Sequence, residues 1–132
     1  MAQITTTTDP GLDLTVRKVI GLLTVDDVLN TLAQTYSSTI TRRIIWDLTA
    51  ADLGTLTSDD LSRIAAAAAQ YAPRVPEVKT AIIVPNAFTY GLTRMYDVYR
   101  GREGAKAPMK SFHKYSEALT WLSSDGKADE ED

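Results

Sequence analysis

IIWDLTAADLGTLTSDD, residues 44–60, joins an apolar strand that runs out at Asp47 to a loop rich in Thr, Ser and Asp and then to a helix start. Ile44, Ile45, Trp46 and Leu48 show no polar alternation, the pattern of a parallel strand covered on both faces, so a central strand is predicted over 40–48. In a strand–loop–helix unit, the loop at the strand's C-terminal end is where ligands and modifications tend to act. The hydroxyls and carboxylates of this loop are therefore the first candidates for chemistry.

Working outward, Asp9-Pro10-Gly11 separates strands over 4–8 and 12–20. Proline presets a turn angle there and glycine tolerates positive φ, so the chain opens with a β-hairpin. Leu12, Leu14 and Val16 alternate with Asp13, Thr15 and Arg17, burying one face. From Thr24 the period becomes helical: Val25, Val28, Leu29, Leu32, Ala33 and Tyr36 share a face, with Thr24 as N-cap and Asp26 and Asp27 answering the dipole. A second helix starts near Thr57 and presents Leu61, Ile64, Ala65, Ala68 and Ala72, its alanines letting the backbone approach a sheet. Pro73 and Pro76 end it. An apolar strand follows over 78–84, then a third helix with Phe88, Leu92, Met95, Tyr96 and Tyr99 on its buried face. The basic loop GREGAKA leads to a short strand over 109–112 and a last helix with Tyr115, Ala118, Leu119 and Leu122 on one stripe.

This order, β-β-α-β-α-β-α-β-α, predicts an α/β domain with a mixed sheet of about five strands, an N-terminal hairpin, a parallel core and four helices. If successive strands are neighbours, right-handed crossovers send every crossover helix to one face of the sheet. The other face then needs cover, and a homodimer or another partner is the expected source of it. Residues 1–124 are expected to form the single domain, and the polar stretch 125–132 to be a disordered tail.

Composition excludes more than it assigns. The 132 residues contain no cysteine, so a disulfide framework, a Cys-ligated zinc site and a thiol nucleophile are ruled out. The formal charge of −3 comes from the tail, whose five acids and one Lys leave +1 on residues 1–124. Residues 94–114 are locally basic, with Arg94, Arg100, Arg102, Lys106, Lys110 and Lys114 against Asp97 and Glu103. Such a run reads as a solvated face, with an anionic partner or a membrane surface as the alternative. The N-terminus lacks a signal pattern, and no segment approaches the roughly 20 apolar residues of a membrane span, so a cytoplasmic protein is expected.

GLLTVDDVLNTL, IIWDLT, KTAIIVPNAFTYGLTRMY and the closing FHKYSEALTWL together resemble the SpoIIAA-like family of small bacterial proteins, related to STAS domains. The resemblance runs from Ile4 to Leu122, its ending with Phe112, Glu117, Ala118, Trp121 and Leu122 being the most distinctive part. It implies a domain without known catalysis, used for protein association or regulation, or for binding lipids as in CRAL-TRIO relatives. STAS anti-sigma factor antagonists carry a phosphorylatable Ser in an Asp-Ser-Ser-Gly-Leu-like motif after the corresponding strand. Here residues 52–59 read DLGTLTSD, and that motif is absent.

Thr55, Thr57 and Ser58 are the candidate phosphorylation sites by position. Thr57 or Ser58 is also the expected helix cap, worth about 1 kcal/mol. Asp59 and Asp60 already answer the helix dipole, so they oppose an added phosphate. Asp47, with Asp52 as a partner carboxylate, is the candidate general base, against the simpler role of a carboxylate bonded to loop amides. A pocket beside the third helix, for a lipid or small apolar ligand, would use Asp47, Phe88, Tyr90, Met95 and Tyr99. His113 is the one histidine and reads as a surface or hinge residue, since it cannot alone make a metal site. No cofactor motif or EF-hand loop is present. The aromatic–arginine interleaving of 88–102 follows helical spacing better than a nucleic-acid surface. The expectation is therefore a non-enzymatic regulatory or association domain, with ligand binding as the alternative.

Overall fold

The computed structural model describes residues 2–36, 40–71 and 78–124. Its elements run β1 (Gln3–Asp9), β2 (Leu14–Leu22), α1 (Val25–Tyr36), β3 (Arg43–Asp52), α2 (Ser58–Tyr71), β4 (Lys79–Ile83), α3 (Ala87–Arg102), β5 (Met109–Phe112) and α4 (Tyr115–Ser123). The expected tail at 125–132, together with Ala72, Pro73 and Pro76, lies outside the described residues. The five strands form one sheet in sequence order, β1 antiparallel to β2 and the rest parallel. The hairpin turn spans 10–13, and the positive φ falls on Asp13 (51°), not on Gly11. Among non-glycine residues Asp is one of the few that tolerate this region.

Because consecutive strands are neighbours, the crossovers through α1, α2 and α3 bring all three helices to one face, as handedness requires. On that face Val19, Leu48 and Ile82 of the sheet, with Val84 just past β4, meet Val28, Leu61 and Ile64 of the helices. α4 follows the last strand and leads to no further one, so the crossover rule does not bind it. It folds back onto the opposite face, where Ala118, Trp121 and Leu122 close over Ile45, Ala81 and Ile83. The cover expected from a second copy or another partner is thus supplied over β3, β4 and β5 by the chain itself. Beyond α4's reach, Lys18, Ile20 and Thr49 remain exposed. The stripe that α4 buries includes Trp121, whereas Tyr115 is 41% exposed.

Two cations explain where α4 stops. Arg43 Nε donates to the Leu122 carbonyl at 2.9 Å, and Lys79 Nζ donates to the Trp121 carbonyl at 2.8 Å and the Ser124 hydroxyl at 3.0 Å. Arg43 and Lys79 are register partners on β3 and β4, so the sheet presents a pair of positive groups to the negative end of the helix.

The helix starts on the other face are closed by reciprocal bonds. In α1 the Asp27 amide donates to Thr24 Oγ1 (3.2 Å) while Asp27 Oδ2 accepts from the Thr24 amide (3.0 Å) and the Ala2 amide (3.2 Å). In α2 the Asp60 amide donates to Thr57 Oγ1 (3.1 Å) and Asp60 Oδ2 accepts from the Thr57 amide (3.0 Å). These are capping boxes with Asp in place of Glu. The amide of Thr24 above all holds the Asp27 carboxyl below its ordinary range, with the Ala2 amide and Thr24 hydroxyl adding to it and burial working against it. A carboxyl depressed by folding contributes stability above its unfolded range, and that contribution is lost as pH falls through the folded value. Asp27→Ala is therefore expected to cost about 1–2 kcal/mol at neutral pH, with the gap to the parent narrowing under acid. Urea denaturation at pH 7 and pH 3 checks this, and a gap that widens at low pH would contradict it.

Candidate functional site

α2 begins with large residues and continues with small ones. Leu61, Ile64 and Ala65 are buried, but Ala68 and Ala69 are only half-buried, because a methyl group does not fill the space between this half of α2 and the sheet. Here the alanine run leaves room where close approach of the backbone was expected. The space is a cleft of about 1160 Å³ between the helix face of the sheet and helices α2 and α3. Ile44, Trp46 and Leu48 form its floor, Ala65, Ala68 and Ala69 one wall, and Leu92, Thr93 and Tyr96 the other.

The exposed residues of its lining, Arg42, Glu103, Gly104 and Lys106 among them, lie at the N-terminal edge of the parallel strands and place the mouth there. This is the edge opposite the 53–57 loop. Gly104 turns the chain from α3 toward β5 at the mouth, with φ of 85°, a conformation that side chains disfavour. Charge around the cleft is one-sided even though two of the basic residues on its lining, Arg43 and Lys79, turn to the end of α4: among the described residues, Arg17, Arg42, Arg100 and Lys106 remain against Glu103 alone. Arg17 is buried, on β2 beside Trp46. Its guanidinium donates to Thr6 Oγ1 at 2.9 Å and to Thr35 Oγ1, and lies 5.8 Å from the Trp46 ring centre.

The residues expected around a pocket are not those that line this one. Asp47 is in mid-strand, because β3 continues to Asp52 along β2 after β4 has ended. It points to the α4 side of the sheet, and its Oδ1 accepts from the Thr49 amide (3.1 Å) and hydroxyl (2.7 Å). Phe88 and Met95 are 60% and 39% exposed, whereas Thr89 and Thr93 are buried in their stead. The helix is rotated by about one residue from the expected setting. The Asn86 side chain caps it by accepting from the Thr89 amide at 2.9 Å, and Thr93 Oγ1 donates to the Tyr90 carbonyl at 2.7 Å and accepts from Ser111 at 2.8 Å. Threonines that bond within the helix enter the core without a stranded hydroxyl, so an apolar count passes over them. Tyr90 and Tyr99 are half-buried against the same core outside the cleft lining, Tyr90 stacking on His113 with centroids 5.8 Å apart. His113 is itself exposed, its Nδ1 3.2 Å from the Val84 carbonyl oxygen.

The loop of the opening motif is built by its own side chains. Asp52 Oδ1 accepts from the Gly54 amide at 2.8 Å, and a Cβ at Gly54 would stand 3.0 Å from that oxygen. Leu53 and Leu56 are buried anchors. Thr57 is the cap of α2, while Thr55 and Ser58 present exposed side chains on either side of it.

No protein-family model matches the chain, and no curated protein matches it. Among solved structures it is similar to an uncharacterised protein of the DUF3478 family with a SpoIIAA-like fold from Shewanella loihica, at 20% identity and a TM-score of 0.60, over 92% of this chain and 95% of that one. It is also matched to an antisigma-factor antagonist STAS domain from Rhodobacter sphaeroides, at 13% identity and a TM-score of 0.35, over 86% and 87%. The fold is SpoIIAA-like, as the sequence resemblance implied.

Proposed function

We infer that this chain is a non-enzymatic binding domain whose cleft takes an amphiphile with an apolar body and an anionic end, a lipid or a molecule like a fatty acid. The cleft itself carries this reading: an apolar chamber of about 1160 Å³ exceeds the few hundred Å³ that a small ligand needs, and its charged lining is almost wholly basic. The carboxylate best placed for a general base, Asp47, sits on the other side of the sheet from it and is bonded to Thr49. Native mass spectrometry of protein from its own source should find an added mass that leaves on activation. Recombinant protein should bind oleate, and Ala68→Phe, which fills the chamber from α2, should weaken that binding about tenfold or more. Bare protein that takes up no oleate at roughly 0.1 mM would overturn the reading.

Regulated protein association, in the cytoplasm and with a homodimer or another protein, is the second reading. The exposed Thr55 and Ser58 beside the start of α2 favour it. The same mass spectra separate the two, since a phosphate adduct or a dimer without ligand would support association.

A further inference from the structure

We propose that the outward face of α3 docks on an anionic lipid bilayer. α3 is apolar on two sides. One side, through Leu92 and Tyr96, joins the core. On the other, Phe88, Gly91, Met95 and Val98 follow one another at spacings of three, four and three residues, which is one seam of a helix. That seam is open to solvent, with Phe88 60%, Met95 39% and Val98 56% exposed, and a Cβ at Gly91 would meet nothing within 4 Å. Three large exposed apolar residues aligned on one helix are a patch, not the scattered exposure that any protein surface shows.

Charge decides what meets this patch. Arg94 and Arg102 are exposed, Arg94 beside the seam and Arg102 at its C-terminal end, with Arg94 leaning over the Tyr90 ring (5.8 Å) and Arg102 over the Tyr99 ring (5.4 Å). The one acid of α3, Asp97, is bonded by the Arg100 guanidinium at 3.1 Å. A second copy laid along the seam would bring the same arginines against one another, with no acid of the seam among the described residues to receive them. A bilayer with anionic headgroups answers both features: the seam enters the acyl boundary and the arginines reach phosphate. Among the described residues no helix is long and apolar enough to cross a membrane, so the contact is at the surface. This proposal is independent of the cleft and its occupant.

The test is partition onto vesicles of phosphatidylcholine with phosphatidylglycerol, compared with phosphatidylcholine alone. The parent protein is expected to sediment with the anionic vesicles only. Phe88→Ser with Val98→Ser, and separately Arg94→Gln with Arg102→Gln, should each lower the partition coefficient about tenfold or more. These exposed positions should leave the melting temperature and circular dichroism unchanged, which keeps a lost interaction distinct from a lost fold. The chain has no cysteine, so Val98→Cys carrying a polarity-sensitive dye gives a second measurement, with a blue shift expected on anionic vesicles. Failure to partition, equal partition onto neutral vesicles, or variants that bind like the parent would overturn the proposal. A dimer that these serine substitutions split, from a protein that ignores vesicles, would overturn it in favour of a second copy.

Discussion

Trp121→Ala is expected to remove about 3–5 kcal/mol of folding stability, the range for emptying a buried aromatic site. Trp121 is 8% exposed, lies among Ile45, Ala81 and Ile83 of the sheet, and tilts against Phe112 with ring centroids 5.7 Å apart. It is the largest side chain that α4 brings to its face of the sheet. Against a total stability of about 5–15 kcal/mol for a domain of this kind, its removal leaves a protein near its folding limit. Urea denaturation should show a lower midpoint, and a loss under about 1 kcal/mol would mean that α4 is an appendage. Trp121→Phe separates packing from polarity. The indole N–H has no hydrogen-bond partner among the described residues, so phenylalanine discards an unsatisfied donor while keeping most of the ring, and should cost much less than alanine.

Lys79→Ala is expected to cost about 2–3 kcal/mol, unusually much for a lysine, because this lysine is 6% exposed and its bonds are charge-assisted. Its ammonium lies 4.4 Å from the centre of the Trp121 ring and bonds the Trp121 carbonyl, so the two side chains hold one junction. Lys79→Met, which keeps the apolar stem and drops the charge, should fall between the parent and alanine. The double variant Lys79→Ala/Trp121→Ala should lose less than the sum of the singles, since the second change removes a contact already gone. Strict additivity in urea would show that the cation acts on the helix end independently of the ring.

These two residues also mark where the sequence stopped being legible. Every strand and helix was foreseen in order, because alternation around Leu14, the unbroken apolar run Ile44, Ile45 and Trp46, and the period of 3.6 through Val28 and Ile64 are all written in apolar residues. The cap at Thr24 was foreseen, and that of α2 was narrowed to Thr57 or Ser58, because cap chemistry is local. The side on which α4 docks was not, for handedness constrains only a helix that connects two parallel strands. The length of β3 was missed because residues 49–51 carry no strand pattern, and the pairing of Ala50, Ala51 and Asp52 with β2 follows a register shift between Lys18 and Ile20. The cleft was anticipated beside α3 with the wrong side chains. Apolarity pointed to Phe88 and Met95, whereas the core took Thr89 and Thr93, whose hydrogen bonds are visible only once neighbours are placed. A clue did exist in the run from Ala65 to Ala69, since alanines facing a sheet mean either close approach or empty space, and the turn beyond Ile64 gave no means of choosing.

The identity of strand order with chain order has a kinetic meaning. As the polypeptide emerges from a ribosome, N-terminus first, each strand after β1 finds its neighbour already made, and no strand has to wait for a later one to be inserted beside it. Every crossover closes a loop of similar modest length, so the entropic toll of each pairing is paid in small instalments. Only the α4 face breaks this progression: Ile45, Ala81 and Ile83 are in place, and wet, until Leu122 has been synthesised. The nascent domain's period of greatest stickiness is thus set by its last helix.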